Sequence, residues 1–303
     1  VEAEMDQEDE DLIQREDMVV TVSHNGYVKR VPLSTYRPQR RGGKGRQGMA
    51  TRDEDFVSQL FVASTHTPML FFSSTGKVYL LKVFRLPMAA PQARGKAMVN
   101  LFPLEEGETI HTVLPLPEDE AVWADRYIMF ATASGSVRRN DLADFKRVQA
   151  NGKIAMKLPE GDRIVGVAIC DANDDILLSG RRGKCIRFPV IDVRVFKSRD
   201  SIGVRGIRLI GDDELIAMSI VRHAEFDNDT RDRYLRWSNA RRRAEGEGES
   251  STEPFPSAPE QANEMELAEQ FVLSITENGY GKRTSAYEYR VTGRGGQGII
   301  NIE

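Results

Sequence analysis

Apolar positions along the chain come in short runs, each broken by a polar tip ending in glycine and then resumed. Five segments share this plan: Val19-Val-Thr-Val-Ser-His-Asn-Gly26-Tyr-Val-Lys, Leu70-Phe-Phe-Ser-Ser-Thr-Gly76-Lys-Val-Tyr, Ile128-Met-Phe-Ala-Thr-Ala-Ser-Gly135-Ser-Val-Arg, Ile176-Leu-Leu-Ser-Gly-Arg-Arg-Gly183-Lys-Cys-Ile-Arg and Phe271-Val-Leu-Ser-Ile-Thr-Glu-Asn-Gly279-Tyr-Gly-Lys. Each predicts two strands joined by a tight hairpin whose glycine supplies the positive φ, with Asn25-Gly26 and Asn278-Gly279 the strongest such signals. A second glycine (Gly45, Gly95, Gly152, Gly203, Gly295) follows each tip by sixteen to twenty residues. A short alternating strand comes next, as in Lys153-Ile-Ala-Met-Lys-Leu or Val204-Arg-Gly-Ile-Arg-Leu, then an acidic turn and another apolar strand. Tip glycines are spaced 50, 59, 48 and 96 residues apart, so the last gap holds one repeat plus an insertion. Four strands per unit at a period near fifty predict an all-β radial array whose neighbouring units share a core. Two β-sandwiches with coincidental spacing are the competing reading.

The insertion, residues 224–269, predicts a helix from Asp229 to Glu245 capped by Asn228 or Asp229. A Gly, Ser, Glu and Pro-rich stretch from Gly246 to Pro259 predicts a loop or disorder, and Glu260 to Gln270 a second short helix. Arg241-Arg-Arg243 either contacts DNA or forms a solvated face. Residues 1–16 read as an acidic linker and 17–303 as the β-domain, interrupted by 224–269. The chain starts with Val, which reads as a piece of something longer.

Charge changes the picture. The net −4 includes −8 on residues 1–17 and −6 on 224–269, which leaves +10 on the remaining body. A basic body with acidic appendages fits a protein that meets polyanions and limits that contact. Cys170 and Cys185 sit in apolar segments and read as buried thiols of a reducing compartment, hence a cytoplasmic location. The absence of a long apolar run and of a leader peptide predicts no membrane partner and no secretion. His24, His66, His111 and His223 have no ligand spacing, no nucleophile–base pair is readable, and no metal or cofactor is expected in this chain.

The most unusual segment is Gln39-Arg40-Arg41-Gly42-Gly43-Lys44-Gly45, followed by Arg46. Four cations and three glycines within eight residues would let side chains and backbone amides reach phosphate oxygens together, whereas composition alone slightly favours a flexible solvated loop. Gly43-Lys-Gly45-Arg-Gln-Gly48 fits the dinucleotide-binding spacing, but no βαβ unit surrounds it, and the nucleotide-hydrolase loop would need Ser or Thr where Gly45 stands.

This segment resembles the gyrase-A box, the mark of the C-terminal domain of the DNA gyrase A subunit. Thr21-Val-Ser-His-Asn-Gly-Tyr-Val-Lys29, Val99-Asn-Leu-Phe-Pro-Leu104, Gly203-Val-Arg-Gly-Ile-Arg-Leu209 and Asn278-Gly-Tyr-Gly-Lys-Arg-Thr284 resemble the same family. The resemblance implies a six-bladed β-pinwheel whose blades exchange strands and around whose rim duplex DNA wraps with positive hand, so that gyrase introduces negative supercoils by ATP-dependent strand passage. The chain departs from it in offering five tips and carrying the insertion. It further implies no catalysis here, ATP and Mg elsewhere in the enzyme, and a nucleoid-associated A2B2 complex with the rest of the A subunits and with the B subunits. Topoisomerase IV has a similar domain but lacks an intact box.

The expected DNA contacts are the box and a basic rim built from equivalent positions: Lys29, Arg30, Arg46, Lys77, Lys82, Arg94, Lys96, Arg138, Arg139, Lys153, Lys184, Arg187, Arg205, Arg208, Lys282, Arg283 and Arg294. Such binding rests on counterion release, is steeply salt-dependent and reads little base sequence. Rival readings are a topoisomerase IV-like domain that binds without chiral wrapping, a protein-binding scaffold, and an enzyme propeller lacking visible catalytic groups.

Overall fold

All five tips form antiparallel hairpins: β1 (Asp17–Ser23) with β2 (Tyr27–Pro32), β4 (Pro68–Ser73) with β5 (Lys77–Lys82), β8 (Tyr127–Thr132) with β9 (Ser136–Asp141), β12 (Asp174–Gly180) with β13 (Lys184–Pro189), and β16 (Phe271–Ile275) with β17 (Gly281–Ser285). The tip glycines Gly26, Gly76, Gly135, Gly183 and Gly279 hold φ between +79° and +86°, as such turns demand. The computed structural model describes residues 10–36, 48–49, 55–197, 201–246 and 255–301.

The remaining strands are β3 (Val57–Ser64), β6 (Lys96–Ala97), β7 (Ile110–Pro115), β10 (Lys153–Ile154), β11 (Ile164–Cys170), β14 (Val204–Arg205), β15 (Leu215–Arg222) and β18 (Ile299–Ile300). They complete four sheets of order β3-β1-β2-β6, β10-β5-β4-β7, β11-β8-β9-β14 and β15-β12-β13-β18, while among the described residues β16 and β17 pair with each other alone. One edge strand of each four-stranded sheet therefore comes from the repeat that follows in sequence. The strands after the second glycine are two residues long, not the six that alternation suggested. Strand pairing stops there because the chain must leave the preceding blade and return to its own.

Gly203 shows what the exchange requires. At φ +89° it lies so close to β9 that an added Cβ would stand 2.3 Å from the Val137 carbonyl. In the fifth repeat this role falls to Gly298, not to the expected Gly295: Gly298 precedes β18, and its missing Cβ would meet the Cys185 carbonyl at 2.2 Å.

The chain divides into two compact units, 1–169 with 195–204, and 170–194 with 205–303. In the first unit, β4 is buried along its whole length. Met69 and Phe71 face a cluster with Val20, Val28, Tyr79 and Phe102, while Leu70 and Phe72 face another with Trp123, Ile128 and Phe130. Both faces of the central strand are inside, which is why the tips read as continuous apolar runs instead of alternating ones. Each such side chain contributes roughly 1.5–3 kcal/mol by leaving water. In the second unit Leu177, Cys185, Val221, Ala286 and Tyr289 cluster beside the fourth sheet.

The insertion forms α1 (Asn228–Gly246) and α2 (Ala262–Ala268), close to the expected spans. The α1 cap is Asp227 rather than Asn228 or Asp229: its carboxylate accepts from the Thr230 backbone amide at 2.8 Å and from the Thr230 hydroxyl at 3.1 Å. Residues 247–254 of the expected loop lie outside the described residues. Tyr234 and Leu235 of α1 and Met265 of α2 pack on Tyr287, so the insertion shares a core with the fifth repeat in the second unit. Arg241 and Arg242 of the basic triplet pair with Glu266 and Glu269, leaving Arg243 exposed. Both cysteines are buried and neither forms a disulfide, and burial pushes the Cys185 thiol up to about 11. No helix of the described residues is long and apolar enough to cross a membrane.

Candidate nucleic-acid interface

The box, Gln39 to Gly45, and Arg46 lie outside the described residues, so the interface is built here from the other cations. These fall into three groups by environment.

Four of the expected rim residues are not on the surface. Lys29 is fully buried, and its ammonium donates to the carbonyls of Ala90 (3.2 Å), Ala93 (2.8 Å) and Pro91. Burial pulls its pKa below the ordinary lysine value. Arg138, also fully buried, donates to Asn140 Oδ1 at 2.9 Å and to the Ser201 carbonyl at 2.5 Å. Arg139 is buried with its guanidinium 4.5 Å from the Tyr127 ring centre. Arg187, 3 % exposed, pairs with Asp175 at 2.8 Å and donates to the Ala286 and Arg222 carbonyls at 2.7 and 3.0 Å. Three of these four satisfy backbone carbonyls, and Lys29 and Arg138 do so on the segments that carry the chain back to the preceding blade. Such segments have no ladder of their own, so buried cations supply the donors. Lys29, Arg138, Arg139 and Arg187 are thus corrected from expected phosphate contacts to internal fasteners.

A second group is half-buried. In the first unit Arg30 donates to the Leu86 carbonyl at 2.9 Å, and Arg94 stacks 3.5 Å above the Tyr27 ring centre. Lys77 pairs with Glu105 at 2.5 Å, and Lys82 with Glu10. Lys153 bonds the Asp144 carbonyl and sits 5.8 Å from the Phe145 ring centre. In the second unit Lys184 is half-buried, and Arg294 donates to the Asp192 and Arg205 carbonyls at 3.2 and 2.5 Å.

The third group is exposed: Lys96 in the first unit, and Arg205, Arg208, Lys282 and Arg283 in the second. Lys96 and Arg205 sit on the exchanged strands β6 and β14, immediately after the close-approach glycines or one residue beyond. Arg283 lies 3.6 Å over the Phe271 ring centre, and Lys282 bonds the Asn301 carbonyl.

Another series was missed. After each hairpin comes a 3₁₀ turn, at Leu33–Thr35, Val83–Arg85, Leu142–Phe145, Val190–Asp192 and Ala286–Glu288. Four residues past the first turn residue stand Arg37, Pro87, Lys146, Arg194 and Arg290, a cation in four of the five repeats. Lys146, Arg194 and Arg290 are exposed, and Arg37 lies outside the described residues. The signal was legible as an apolar or aromatic residue followed by a cation: Tyr36-Arg37, Phe145-Lys146, Val193-Arg194 and Tyr289-Arg290. Among the described residues, no group of three or more His, Cys, Asp or Glu side chains is placed to hold a metal ion.

Comparison with known proteins gives a consistent result. The family described as DNA gyrase C-terminal domain, beta-propeller, matches in five segments, residues 17–64, 68–117, 126–171, 174–222 and 270–303. These coincide with the five hairpin repeats and skip the insertion. The chain is 52% identical to the DNA gyrase A subunit of Rickettsia bellii over 99% of its length and 34% of that protein. It is 40% identical to the DNA gyrase A subunit of Salmonella typhimurium over 97% of its length and 28% of that protein. The chain thus spans about a third of the length of the curated relatives it matches. Among solved structures, a DNA gyrase A C-terminal domain superposes with TM-score 0.65 at 23% identity, covering 94% of this chain and 76% of that one. The C-terminal domain of a DNA topoisomerase IV gives 0.63 at 21% identity, covering 95% and 73%.

Proposed function

Because the chain belongs to the DNA gyrase C-terminal domain family of β-propellers, we propose that it binds duplex DNA through its exposed cations and wraps it with positive hand. The other domains of the enzyme would use that wrap, with ATP and magnesium held elsewhere, to supercoil DNA by strand passage in a complex of two gyrase A and two gyrase B chains. Catalysis belongs on this reading to parts of the enzyme outside this chain. A cytoplasmic, nucleoid-associated location goes with it.

The observation that carries the reading is the recurrence of exposed cations outside the blades' packed faces, in repeats that match the gyrase family one by one. Binding by such a set is driven by counterion release, and bending the duplex costs several kcal/mol that many phosphate contacts must offset. The box Gln39 to Gly45 would anchor one end of the wrap. Likeness of fold favours gyrase and topoisomerase IV domains equally. The intact box and the 52% identity favour gyrase.

The test is topological. Relaxed plasmid is incubated with the protein, treated with a relaxing topoisomerase, deproteinised and resolved on a two-dimensional gel. A positive linking shift that disappears when Arg40, Arg41 and Lys44 become Ala supports the proposal. Binding without a shift transfers the chain to the topoisomerase IV-like reading. Absence of binding at low salt leaves the protein scaffold.

A further inference from the structure

The acidic leader is not idle in the first unit. The Gln14 carbonyl accepts from the Thr65 hydroxyl at 2.9 Å, and the Glu16 carbonyl from the Thr65 amide at 2.9 Å. Arg15 pairs with Glu118 at 2.5 Å. At its far end the Glu10 carboxylate takes the Lys82 ammonium with both oxygens, Oε2 at 2.5 Å. The Glu10 carbonyl lies 3.4 Å from His66 Nε2. At the near end the charge of Glu16 acts on Arg30. Two cations of the expected DNA track are therefore met by carboxylates of a segment fastened alongside them. Immediately before Glu10 the sequence carries Glu2, Glu4, Asp6, Glu8 and Asp9.

We propose that the leader is an intramolecular competitor of DNA, in which Glu10 holds the place on Lys82 that a backbone phosphate takes when duplex binds. A carboxylate and a phosphodiester present the same anionic oxygens to an ammonium, so one excludes the other from Lys82. The tether keeps the carboxylate at a high effective concentration, in the millimolar range for short linkers. Displacing it lowers DNA affinity by as much as DNA weakens the strap, since the coupling is reciprocal. The strap would set a threshold: weak or brief encounters leave it closed, and a duplex making many contacts opens it. The inference rests on the DNA-binding reading above.

The experiment measures duplex affinity by fluorescence anisotropy across a salt series, for the wild-type chain, Glu10→Gln, Lys82→Met and the double variant. Thermal melts establish that each is folded. Glu10→Gln is expected to bind about threefold tighter at low salt, the size of an exposed ion pair. The advantage should close as ionic strength rises past ~0.3 M, where the Debye length is only a few ångströms. Its salt slope should steepen, because in the wild type rising salt also weakens the Glu10–Lys82 pair that DNA must open. With Lys82→Met the gain should vanish. Equal affinity of wild type and Glu10→Gln overturns the proposal. So does a gain that persists undiminished without Lys82, which would reflect net charge and not this contact. If none of the four proteins binds DNA at low salt, the DNA-binding reading itself falls, and this inference with it.

Discussion

Replacing Arg187 by Met separates an internal fastener from a DNA contact. The change leaves Asp175, which has no exposed surface, with the hydrogen bond to His223 Nδ1 at 2.7 Å but without its guanidinium. It also removes the donors to the Ala286 and Arg222 carbonyls. Breaking a buried pair on one side costs about 3–5 kcal/mol, because the surviving charge stays out of water. For a unit of this size the loss corresponds to a fall in melting temperature on the order of 10 °C. Circular dichroism and tyrosine fluorescence melts would follow it. The double variant Asp175→Leu with Arg187→Met should recover a large part, since packed apolar groups replace buried pairs at little cost. The reasoning is refuted if Arg187→Met melts within about 2 °C of wild type while its DNA salt slope drops by about 0.9. That pattern would return Arg187 to the surface contacts.

Gly203→Ala should destabilise the first unit by more than Gly211→Ala destabilises the second, although both glycines have positive φ (+89° and +65°). Alanine at 211 meets open space and carries only the left-handed strain, about 1 kcal/mol, whereas at 203 the new Cβ collides with the Val137 carbonyl; urea midpoints of the two variants decide. Glu108 gives a pH signature. Burial opposes its ionisation, but donors from Ser73, the Glu105 amide and Thr75, with Lys77 nearby, outweigh it and hold the folded pKa below the ordinary value. A depressed carboxylate adds stability above its unfolded pKa of about 4.3 and loses it as pH falls through the lower folded value. Glu108→Gln should therefore flatten the acid limb of a stability-versus-pH curve below about pH 4.3, and an unchanged limb would contradict the assignment.

Repeats, hairpin tips and insertion helices were legible in the sequence because each is a local pattern. Asn-Gly and its relatives fix a hairpin, and the run Asp229 to Glu245 has the composition of a helix. The exchange of strands was not readable from the residues, because β6, β10, β14 and β18 are two residues long and carry no periodicity; it came only from the family resemblance. Gly295 was chosen over Gly298 for the same reason. Cations were the weakest point. Counting Lys and Arg beyond each tip could not separate buried Lys29 from exposed Lys96. Burial follows from which blade lies against a strand face, and only topology supplies that.

The two-faced burial of the blades gives a rule for where DNA contacts can be. No residue of β2, β9 or β13 is exposed, so alternation along these strands turns no side chain cleanly outward. Outward cations must come from the turns, the hairpin-strand ends that lead into the 3₁₀ turns, the exchanged strands and the segments after the 3₁₀ turns, where Lys82, Lys96, Arg205, Lys146 and Arg194 stand. Lys282 and Arg283 test the rule. Counted from their tip glycine they occupy the register of Lys29 and Arg30, or of Arg138 and Arg139. They are exposed where β16 and β17 form a two-stranded sheet, while those counterparts lie in four-stranded ones. Their exposure thus goes with the lack of strand partners among the described residues, and the rule gives them less weight than Lys96 and Arg205. Lys96→Gln and Arg205→Gln should each lower the DNA salt slope by about 0.9 with no change in melting temperature. Lys282→Gln, at a comparable exposed site, should lower it by clearly less. Equal slopes for all three would mean that exposure alone selects the contacts, and that register carries no information about the DNA path.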